Sequence, residues 1–228
     1  MRRSSRPQVA IVDYGMGNLF SVKHACAYAG MEASTTSTAQ ELLAADAVIL
    51  PGVGAFGDAM AMLARRDLVS VLRDIAASGK PLLGICLGLQ LLMRESSEFG
   101  RHDGLGIIDG DVVRLEGGRD HGRAAKVPQV GWNRIHRRGA QAWTGSLLDG
   151  VPEDAYMYFV HSFYVRPVDP GLVVATTRYG PAEFCSGLRQ GNVCAVQFHP
   201  ERSGPDGLTI YRNLAARLPA SIPEVQHA

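Results

Sequence analysis

The sequence predicts an α/β fold, a three-layer α/β/α sandwich with a mostly parallel central sheet and added antiparallel strands. Three apolar runs in the first half, at residues 8–15, 47–52 and 81–86, are separated by stretches with helical spacing. Strands of a parallel sheet are buried on both faces and therefore appear as continuous apolar runs. Shorter, turn-rich segments in the second half predict the antiparallel additions.

The stretches between these runs have the spacing of amphipathic helices. Residues 16–30 place apolar side chains at helical intervals, and Gly30 predicts the end of this helix. Residues 39–46 predict a short helix, and residues 57–78 predict one longer helix. A further helix is predicted directly after the third strand, over residues 87–96.

The second half predicts strands and hairpins, then a closing helix. The alternating segments lie at residues 106–118, 155–165, 171–180 and 192–198. Residues 206–218 predict the closing helix, and the tail after it contains two prolines and is expected to be loosely ordered. Without an internal repeat or linker, we expect a single domain over residues 1–228, with its ordered core at about residues 8–218.

The composition argues against several classes of function. The chain has 228 residues, of which 46% are hydrophobic and 20% charged, as in ordinary globular proteins. A formal net charge of +1 gives no strong field toward nucleic acid or an anionic membrane. No apolar stretch approaches the roughly 20 residues of a membrane span, and the basic start lacks the apolar region of a signal peptide. We therefore expect a cytoplasmic protein without nucleic-acid or membrane partners.

Cys86 is the first candidate catalytic residue. It ends the third apolar run between Gly84 and Gly88, and reactive groups in open parallel sheets collect at the carboxyl ends of strands. The glycines permit a sharp strand-to-helix turn, and the helix start favours a thiolate and makes the Leu87 N–H a candidate oxyanion donor. The four cysteines form no C-x-x-C pair, which argues against zinc or disulfides. An isolated G-x-C-x-G motif is equally compatible with an inert, packed thiol.

The segment VQFHPERSG, residues 196–204, offers partners for Cys86. A buried strand ends at Phe198 and delivers His199 and Glu201, which project to the same side of an extended chain. A cysteine nucleophile needs a base, and a carboxylate to orient that base. Taken alone, HPE favours an ordinary loop histidine and a surface glutamate. Its position at the end of a strand, in a chain whose Cys86 lies at a strand-to-helix turn, favours the catalytic interpretation instead.

The segments PGVGAFGDAM, GICLGLQLL and QFHPERSG together resemble the triad-type (class I) glutamine amidotransferases, and the resemblance extends over residues 11–218. It implies a flavodoxin-like domain in which Cys86 attacks the side-chain amide of glutamine. His199 is then the general base and acid, and Glu201 orients it. No metal or organic cofactor is implied.

The resemblance also implies roles for residues around the triad. The peptide between Gly52 and Val53 is implied to join Leu87 in the oxyanion hole. Substrate contacts are implied for Gly54, Gln90, His161, Ser162 and Phe163. Simpler interpretations stay open: an ordinary loop for PGVG, a glutamine that caps its own helix, and a structural histidine inside an apolar strand.

Three longer segments indicate which group within this family the sequence resembles. DYGMGN, KVPQVGWN and YFVHSFYV are similar to the glutaminase subunits of imidazole glycerol phosphate synthases, which act in histidine biosynthesis. This implies a heterodimer with a cyclase subunit, a (β/α)₈ barrel that uses the ammonia. The chain is too short for a second domain of that size, so we expect the partner in a separate chain. The implied interface residues are Asn18, Gln129, Trp132, Asn133, Tyr158 and Arg202.

Several alternatives accompany this interpretation. Trp132 is equally compatible with a core position, and Arg202 stands where the family pattern has lysine, which replaces a point charge with a planar fork. The glutaminase of another synthase is the first rival. The second is a non-catalytic scaffold of the same fold, although a scaffold has no need for Cys86, His199 and Glu201 together.

Overall fold

The computed structural model describes residues 6–120, 123–139 and 143–219, which form six α-helices and sixteen strands. The helices are α1 Leu19–Tyr28, α2 Ala39–Ala44, α3 Phe56–Arg65, α4 Leu68–Ala77, α5 Leu87–Leu91 and α6 Gly204–Ala215. The strands are β1 Gln8–Val12, β2 Glu32–Thr36, β3 Ala47–Leu50, β4 Leu82–Ile85, β5 Met93–Ser96, β6 His102–Asp103, β7 Ile108–Arg114, β8 Gly118–Asp120, β9 Arg123–Ala125, β10 Gln129–Arg134, β11 His136–Arg137, β12 Tyr156–His161, β13 Phe163–Pro167, β14 Val173–Tyr179, β15 Ala182–Gln190 and β16 Val193–Val196. Two short 3₁₀ turns lie at Pro170–Leu172 and Pro200–Arg202.

In the described part of the chain, twelve strands form one sheet with a parallel side and an antiparallel side. Strands β2, β1, β3, β4 and β16 lie next to one another in that order and run parallel. This arrangement matches the strand order of flavodoxin-like folds. Beyond β16 the sheet continues through β15, β13 and β7 with antiparallel pairing. The predicted fold class is confirmed.

Successive side chains of the parallel strands point to opposite faces of the sheet, which explains why helices cover both faces. In β1, Val9 and Ile11 share a core with residues of α1 and α6 on one face of the sheet. Ala10 and Val12 point to the opposite face and share a second core with α2, α3 and α4. Because successive side chains of a strand alternate between faces, a strand that is apolar throughout requires cover on both sides.

The predicted helix over residues 57–78 is two helices. α3 ends at Arg65 and α4 begins at Leu68, and Asp67 between them has a φ of 55°. A residue in the left-handed region cannot continue a right-handed helix, so the chain changes direction there. The prediction of a single helix was wrong because both halves have inward-facing apolar residues at helical spacing.

The predicted helix over residues 87–96 was also too long. It ends at Leu91, and Met93–Ser96 forms strand β5 beside β7, with Met93 opposite Ile108. Pairing with a neighbouring strand outweighs the helical pattern of this short segment. Six further strands, β2, β6, β9, β10, β11 and β15, lie outside every segment that was predicted as strand.

The closing helix, predicted over residues 206–218, is α6, which begins at Gly204 and ends at Ala215. The tail predicted to be loosely ordered lies outside the described residues from position 220 onward. Among the helices that the structure describes, none has the length and apolar character needed to cross a membrane.

Candidate active site

Cys86 occupies a strained turn between β4 and α5. Its φ is 54° and its ψ is −108°, a region that residues with a Cβ rarely adopt. The backbone N–H of Cys86 donates to the carbonyl of Val196 in the adjacent strand at 2.8 Å, and the residue is buried. Strain of this kind is concentrated at functional sites, where the surrounding structure holds it in place.

The glycines beside Cys86 allow α5 to lie directly against the sheet. A Cβ on Gly88 would be 1.8 Å from the carbonyl oxygen of Leu50, the last residue of β3. A Cβ on Gly84 would be 3.1 Å from the Cβ of Ala195 on β16. A side chain at position 88 would require a shift of the backbone, and one at position 84 would be in tight contact with its neighbours, which favours glycine on both sides of the turn.

His199 and Glu201 form a buried hydrogen-bonded pair just after β16. Nδ1 of His199 donates to Oε1 of Glu201 at 2.8 Å, and the two side chains are 6% and 1% exposed. Because a carboxylate can only accept, Nδ1 carries the proton, and Nε2 remains available as a base in the neutral ring. Within the described residues, Nε2 is buried and makes no hydrogen bond.

The charges around His199 favour its protonated form. Burial alone would lower the pKa of His199, but the neighbouring Cys86 and the Glu201 carboxylate outweigh burial and raise that pKa to about 10. Cys86 can have this effect only at close range. The three residues predicted as a triad therefore lie close together, and the surroundings of His199 favour its protonated form.

Backbone contacts fix the turn that carries His199. Its N–H donates to the carbonyl of Tyr158 on β12 at 2.9 Å. The hydroxyl of Ser203 donates to the His199 carbonyl at 2.6 Å and accepts from the Tyr158 N–H at 3.0 Å. This closed set of hydrogen bonds ties the candidate base to strand β12.

A cavity of about 250 Å³ opens beside Cys86. Its walls contain every residue predicted to contact substrate, together with Val53 and Leu87 from the predicted oxyanion hole. The lining residues are Val53, Gly54, Cys86, Leu87, Gln90, Glu98, Pro128, Val160, His161, Ser162 and Phe163. The sequence motifs thus converge on a single concave site.

Glu98 is a cavity residue that sequence reasoning missed. It is the one acidic side chain among the described lining residues, and its Oε2 accepts from the N–H of Phe56 at 2.6 Å. It follows β5, the segment that was predicted as helix. The sequence has no motif around this position, and only the correct path of the chain after Leu91 brings it to the cavity.

The PGVG loop packs against the turn at Cys86. The buried hydroxyl of Tyr14 donates to the carbonyl of Pro51 at 2.8 Å. A Cβ on Gly52 would be 2.2 Å from that hydroxyl oxygen and 2.9 Å from the Cβ of Leu87. Burial raises the pKa of Tyr14 far above its ordinary value, so the hydroxyl keeps its proton and remains a donor. The glycine permits the close approach that an oxyanion loop requires.

Gln90 and His161 line the cavity but are held by the protein itself. Nε2 of Gln90 donates to the carbonyl of Phe163 at 2.9 Å and to Oε1 of Gln197 at 3.1 Å, so the side chain does not cap its own helix. Nδ1 of His161 donates to the same Phe163 carbonyl at 2.8 Å. Burial lowers the pKa of His161 to about 4, which keeps the ring neutral and supports its structural interpretation.

Three residues predicted at a partner interface form an aromatic cluster near His199. Trp132 is 55% exposed and lies edge-on to Tyr158, with the ring centroids 6.1 Å apart. The guanidinium carbon of Arg202 lies 4.7 Å from the centroid of the Tyr158 ring. Trp132 is on the surface, so the alternative that placed it in the core was wrong.

The other three residues predicted at the interface have different surroundings. Asn18 caps α1 by accepting from the Ser21 N–H at 3.4 Å. Asn133 donates to the carbonyl of Arg178 at 2.8 Å. Gln129 is only 2% exposed and lies opposite His161 in the β10–β12 ladder. Its side chain is therefore not part of an exposed surface.

Comparisons with known proteins identify the family. The family model "Glutamine amidotransferase class-I" matches residues 10–218. The imidazole glycerol phosphate synthase subunit HisH of Rhodopirellula baltica is 49% identical over 207 residues, which cover 91% of this chain and 96% of the relative. The protein of the same name from Moorella thermoacetica is 46% identical over 205 residues, or 90% of this chain and 92% of the relative.

Solved structures share the fold at lower identity. PurLQS from Thermotoga maritima gives a TM-score of 0.71 at 21% identity, covering 92% of this chain and 97% of that chain. A crystal structure of a glutamine amidotransferase gives 0.67 at 22% identity, covering 91% and 98%. These likenesses support the fold, and the closer sequence relatives identify the family. The chain belongs to the class-I glutamine amidotransferases and, within them, to the family of HisH subunits of imidazole glycerol phosphate synthase.

Proposed function

We propose that this protein hydrolyses L-glutamine to L-glutamate and ammonia and passes the ammonia to the cyclase subunit of an imidazole glycerol phosphate synthase. One observation carries the proposal: the buried pair of His199 and Glu201 lies close to Cys86, which lines the cavity, in a chain of the HisH family. The cyclase would use the ammonia to make imidazole glycerol phosphate and an aminoimidazole carboxamide ribonucleotide.

In the first half of the reaction, the thiolate of Cys86 attacks the side-chain amide carbon of glutamine. A C–S bond forms, and the carbonyl electron pair moves onto oxygen, where N–H groups of Leu87 and of the peptide between Gly52 and Val53 are the proposed donors. His199 then gives its proton to the amide nitrogen, the C–N bond breaks, and ammonia leaves. The product is a glutamyl thioester on Cys86.

In the second half, water hydrolyses the thioester. Nε2 of His199 takes a proton from the water, and the resulting hydroxide attacks the thioester carbon. The C–S bond breaks and glutamate leaves, which restores the thiolate and the imidazolium. Glu201 keeps the imidazole in the orientation and tautomer that both halves require.

The cavity walls offer complementary groups for an amino acid. The carboxylate of Glu98 is suited to the α-ammonium group, because Oε2 already accepts from the protein and Oε1 remains for the ligand. The backbone around Ser162 and Phe163 is proposed to hold the α-carboxylate. The neutral ring of His161 adds no charge to this wall, so recognition relies on Glu98 and on the backbone.

The surface beside His199 suits a partner subunit. Val130, Trp132 and Val160 on β10 and β12 are 60%, 55% and 36% exposed, and aromatic side chains of this kind often anchor interfaces. Tyr158 lies in the same ladder and accepts the backbone hydrogen bond of His199. A cyclase bound here would close the site against loss of ammonia and would contact the strand that positions the base.

The test is glutamine hydrolysis by the isolated chain and by its mixture with the cyclase subunit. We expect co-purification with that cyclase, weak release of glutamate by the lone chain, and strong stimulation when the cyclase carries its nucleotide substrate. The ammonia-using subunits of other synthases serve as controls. A lone chain already at the full rate, or preferential binding to another synthase, would contradict the proposed coupling.

A further inference from the structure

Gln197 is a buried amide that contacts the sulfur of the candidate nucleophile. Its exposed fraction is 0%, and its Nε2 lies 3.6 Å from Sγ of Cys86. Gln197 follows β16 and Cys86 follows β4, and these two strands are adjacent and parallel. The contact therefore comes from the same sheet edge that brings His199 to the site.

A backbone carbonyl fixes which end of the Gln197 amide faces the sulfur. The carbonyl of Phe163 can only accept, so the group of Gln90 that lies 2.9 Å from it must be the NH₂ group. The same NH₂ group then requires an acceptor from Gln197, and Oε1 of Gln197 lies 3.1 Å away. With its oxygen committed to Gln90, Gln197 presents its N–H donor to Cys86.

Among the described residues, two neutral groups lie near the sulfur, and they favour opposite protonation states of Cys86. The carbonyl of Val160 lies 3.9 Å from Sγ and can accept from a thiol but not donate to a thiolate. The Gln197 N–H is a donor and becomes a charge-assisted hydrogen bond once the sulfur is negative. The following helix α5 has only five residues, Leu87–Leu91, so its dipole adds little to this stabilisation.

We propose that Gln197 is a further catalytic residue, whose side-chain N–H donates to the Cys86 thiolate and stabilises it for attack on glutamine. This role rests on the proposed glutaminase function. In this role the two glutamines act together, because the hydrogen bond from Gln90 holds the Gln197 amide with its N–H toward Cys86. A purely structural glutamine would stabilise the fold without changing the acidity of the thiol.

The experiment measures the rate at which iodoacetamide alkylates Cys86 as a function of pH, followed by mass spectrometry of the Cys86 peptide. Gln197→Met keeps a flexible side chain of similar length and removes the donor. We expect the midpoint of the alkylation profile to rise by about one pH unit, with about tenfold slower alkylation below it. The control Ser186→Ala removes a buried hydroxyl that makes no hydrogen bond in the described structure, on the strand that faces Gln197, and should leave the midpoint unchanged.

An unchanged midpoint in folded Gln197→Met would overturn the inference. If that variant does not fold, Gln197→Asn withdraws the amide by one methylene group, and the same rise is expected. Glutamine hydrolysis by the wild type is measured separately. If the midpoint shifts in Gln197→Met but the wild type does not hydrolyse glutamine, the proposed function is wrong and the hydrogen bond to the thiolate is supported. If the wild type hydrolyses glutamine but the midpoint does not shift, only the role of Gln197 is wrong.

Discussion

His199 receives its orientation from a carboxylate that water hardly reaches. Glu201 is 1% exposed in its side chain, and the distance of 2.8 Å to Nδ1 leaves no room for an intervening water. A buried charge in this position is costly unless it is paired. We therefore infer that Glu201 serves the chemistry proposed at Nε2 of His199.

Replacing Glu201 by glutamine tests this pairing with little change in volume. The amide has no negative charge to stabilise the imidazolium and can present an N–H to Nδ1, which favours the wrong tautomer. We expect kcat for glutamine to fall by about 10² to 10⁴, with a much smaller change in KM. Steady-state kinetics check this result. Glu183→Gln, which breaks an exposed ion pair with Arg178, is the control, and a kcat near the wild-type value in Glu201→Gln would contradict the role.

His161 makes the stability of the fold depend on pH. Its pKa is about 4 in the native state, against 6.5 for an ordinary histidine, so the unfolded chain binds more protons between these values. The free energy of unfolding is therefore fully retained above pH 6.5 and falls as the pH drops toward 4, by about 3 kcal/mol for this group. The raised pKa of His199 acts in the opposite direction, with stability lost as the pH rises toward about 10.

Urea unfolding at several pH values isolates the His161 contribution. His161→Asn keeps a donor for the Phe163 carbonyl and removes the titrating ring, so its unfolding free energy should fall less steeply between pH 6.5 and 4 than that of the wild type. His24→Asn, on the exposed face of α1, should keep the wild-type slope. Equal slopes in all three proteins would show that His161 is not buried in its neutral form.

Residues that end strands could be predicted from the sequence, and residues placed by tertiary packing could not. Cys86 and His199 could be predicted because each lies at the end of an apolar run. Glu201 could be predicted because it is two residues after His199 and therefore projects to the same side. Glu98 depends on the short strand β5, which reads as helix in the sequence. Gln197 stands in a buried strand end, and nothing in its own neighbourhood reveals that it faces a sulfur from a distant segment.

The contact between helix α5 and strand β3 decides the geometry of the turn at Cys86. Gly88→Ala places a methyl group within 1.8 Å of the Leu50 carbonyl oxygen, in a helix that cannot shift without moving Cys86. We expect the free energy of unfolding to fall by about 3 kcal/mol or more. Chemical denaturation measures this loss. Gly117→Ala, where a Cβ would meet no atom closer than 3.4 Å, should cost far less, and equal costs would contradict the packing.

The elements that were predicted wrongly share a physical cause. α3 and α4 have one continuous apolar pattern, but the left-handed Asp67 separates them, and a single residue outside the helical region leaves the hydrophobic periodicity almost intact. Residues 93–96 have apolar spacing compatible with a helix, yet they form a strand because they pair with the edge of β7. Periodicity identifies buried faces more reliably than it identifies where an element stops.

The whole molecule is organised by a sheet that joins its two halves. β16 lies between β4 and β15, so the strand that delivers His199 is embedded in the sheet begun by the first half. From this interleaving we infer one folded domain in which the parts of the site cannot form separately.

The exposed surface formed by Val130, Trp132 and Val160 is expected to bind the cyclase. Trp132→Ala removes a side chain that is 55% exposed, so the fold and the weak hydrolysis by the lone chain should persist. Affinity for the cyclase should fall about 30-fold or more, as for a residue that anchors an interface. Titration calorimetry measures the affinity. Val168→Ala, an exposed apolar residue outside this surface, is the control, and unchanged affinity of Trp132→Ala would move the interface elsewhere.

Glutamine hydrolysis by Cys86→Ala in the complex with the cyclase is the decisive test of Cys86 as the nucleophile. We expect no release of glutamate from glutamine, while the same complex still forms imidazole glycerol phosphate from added ammonium salts. Cys185→Ala, which removes another buried thiol, should retain both activities. Glutamate release by Cys86→Ala at the wild-type rate would rule out Cys86 as the nucleophile, because a thioester on this residue could then not be an intermediate.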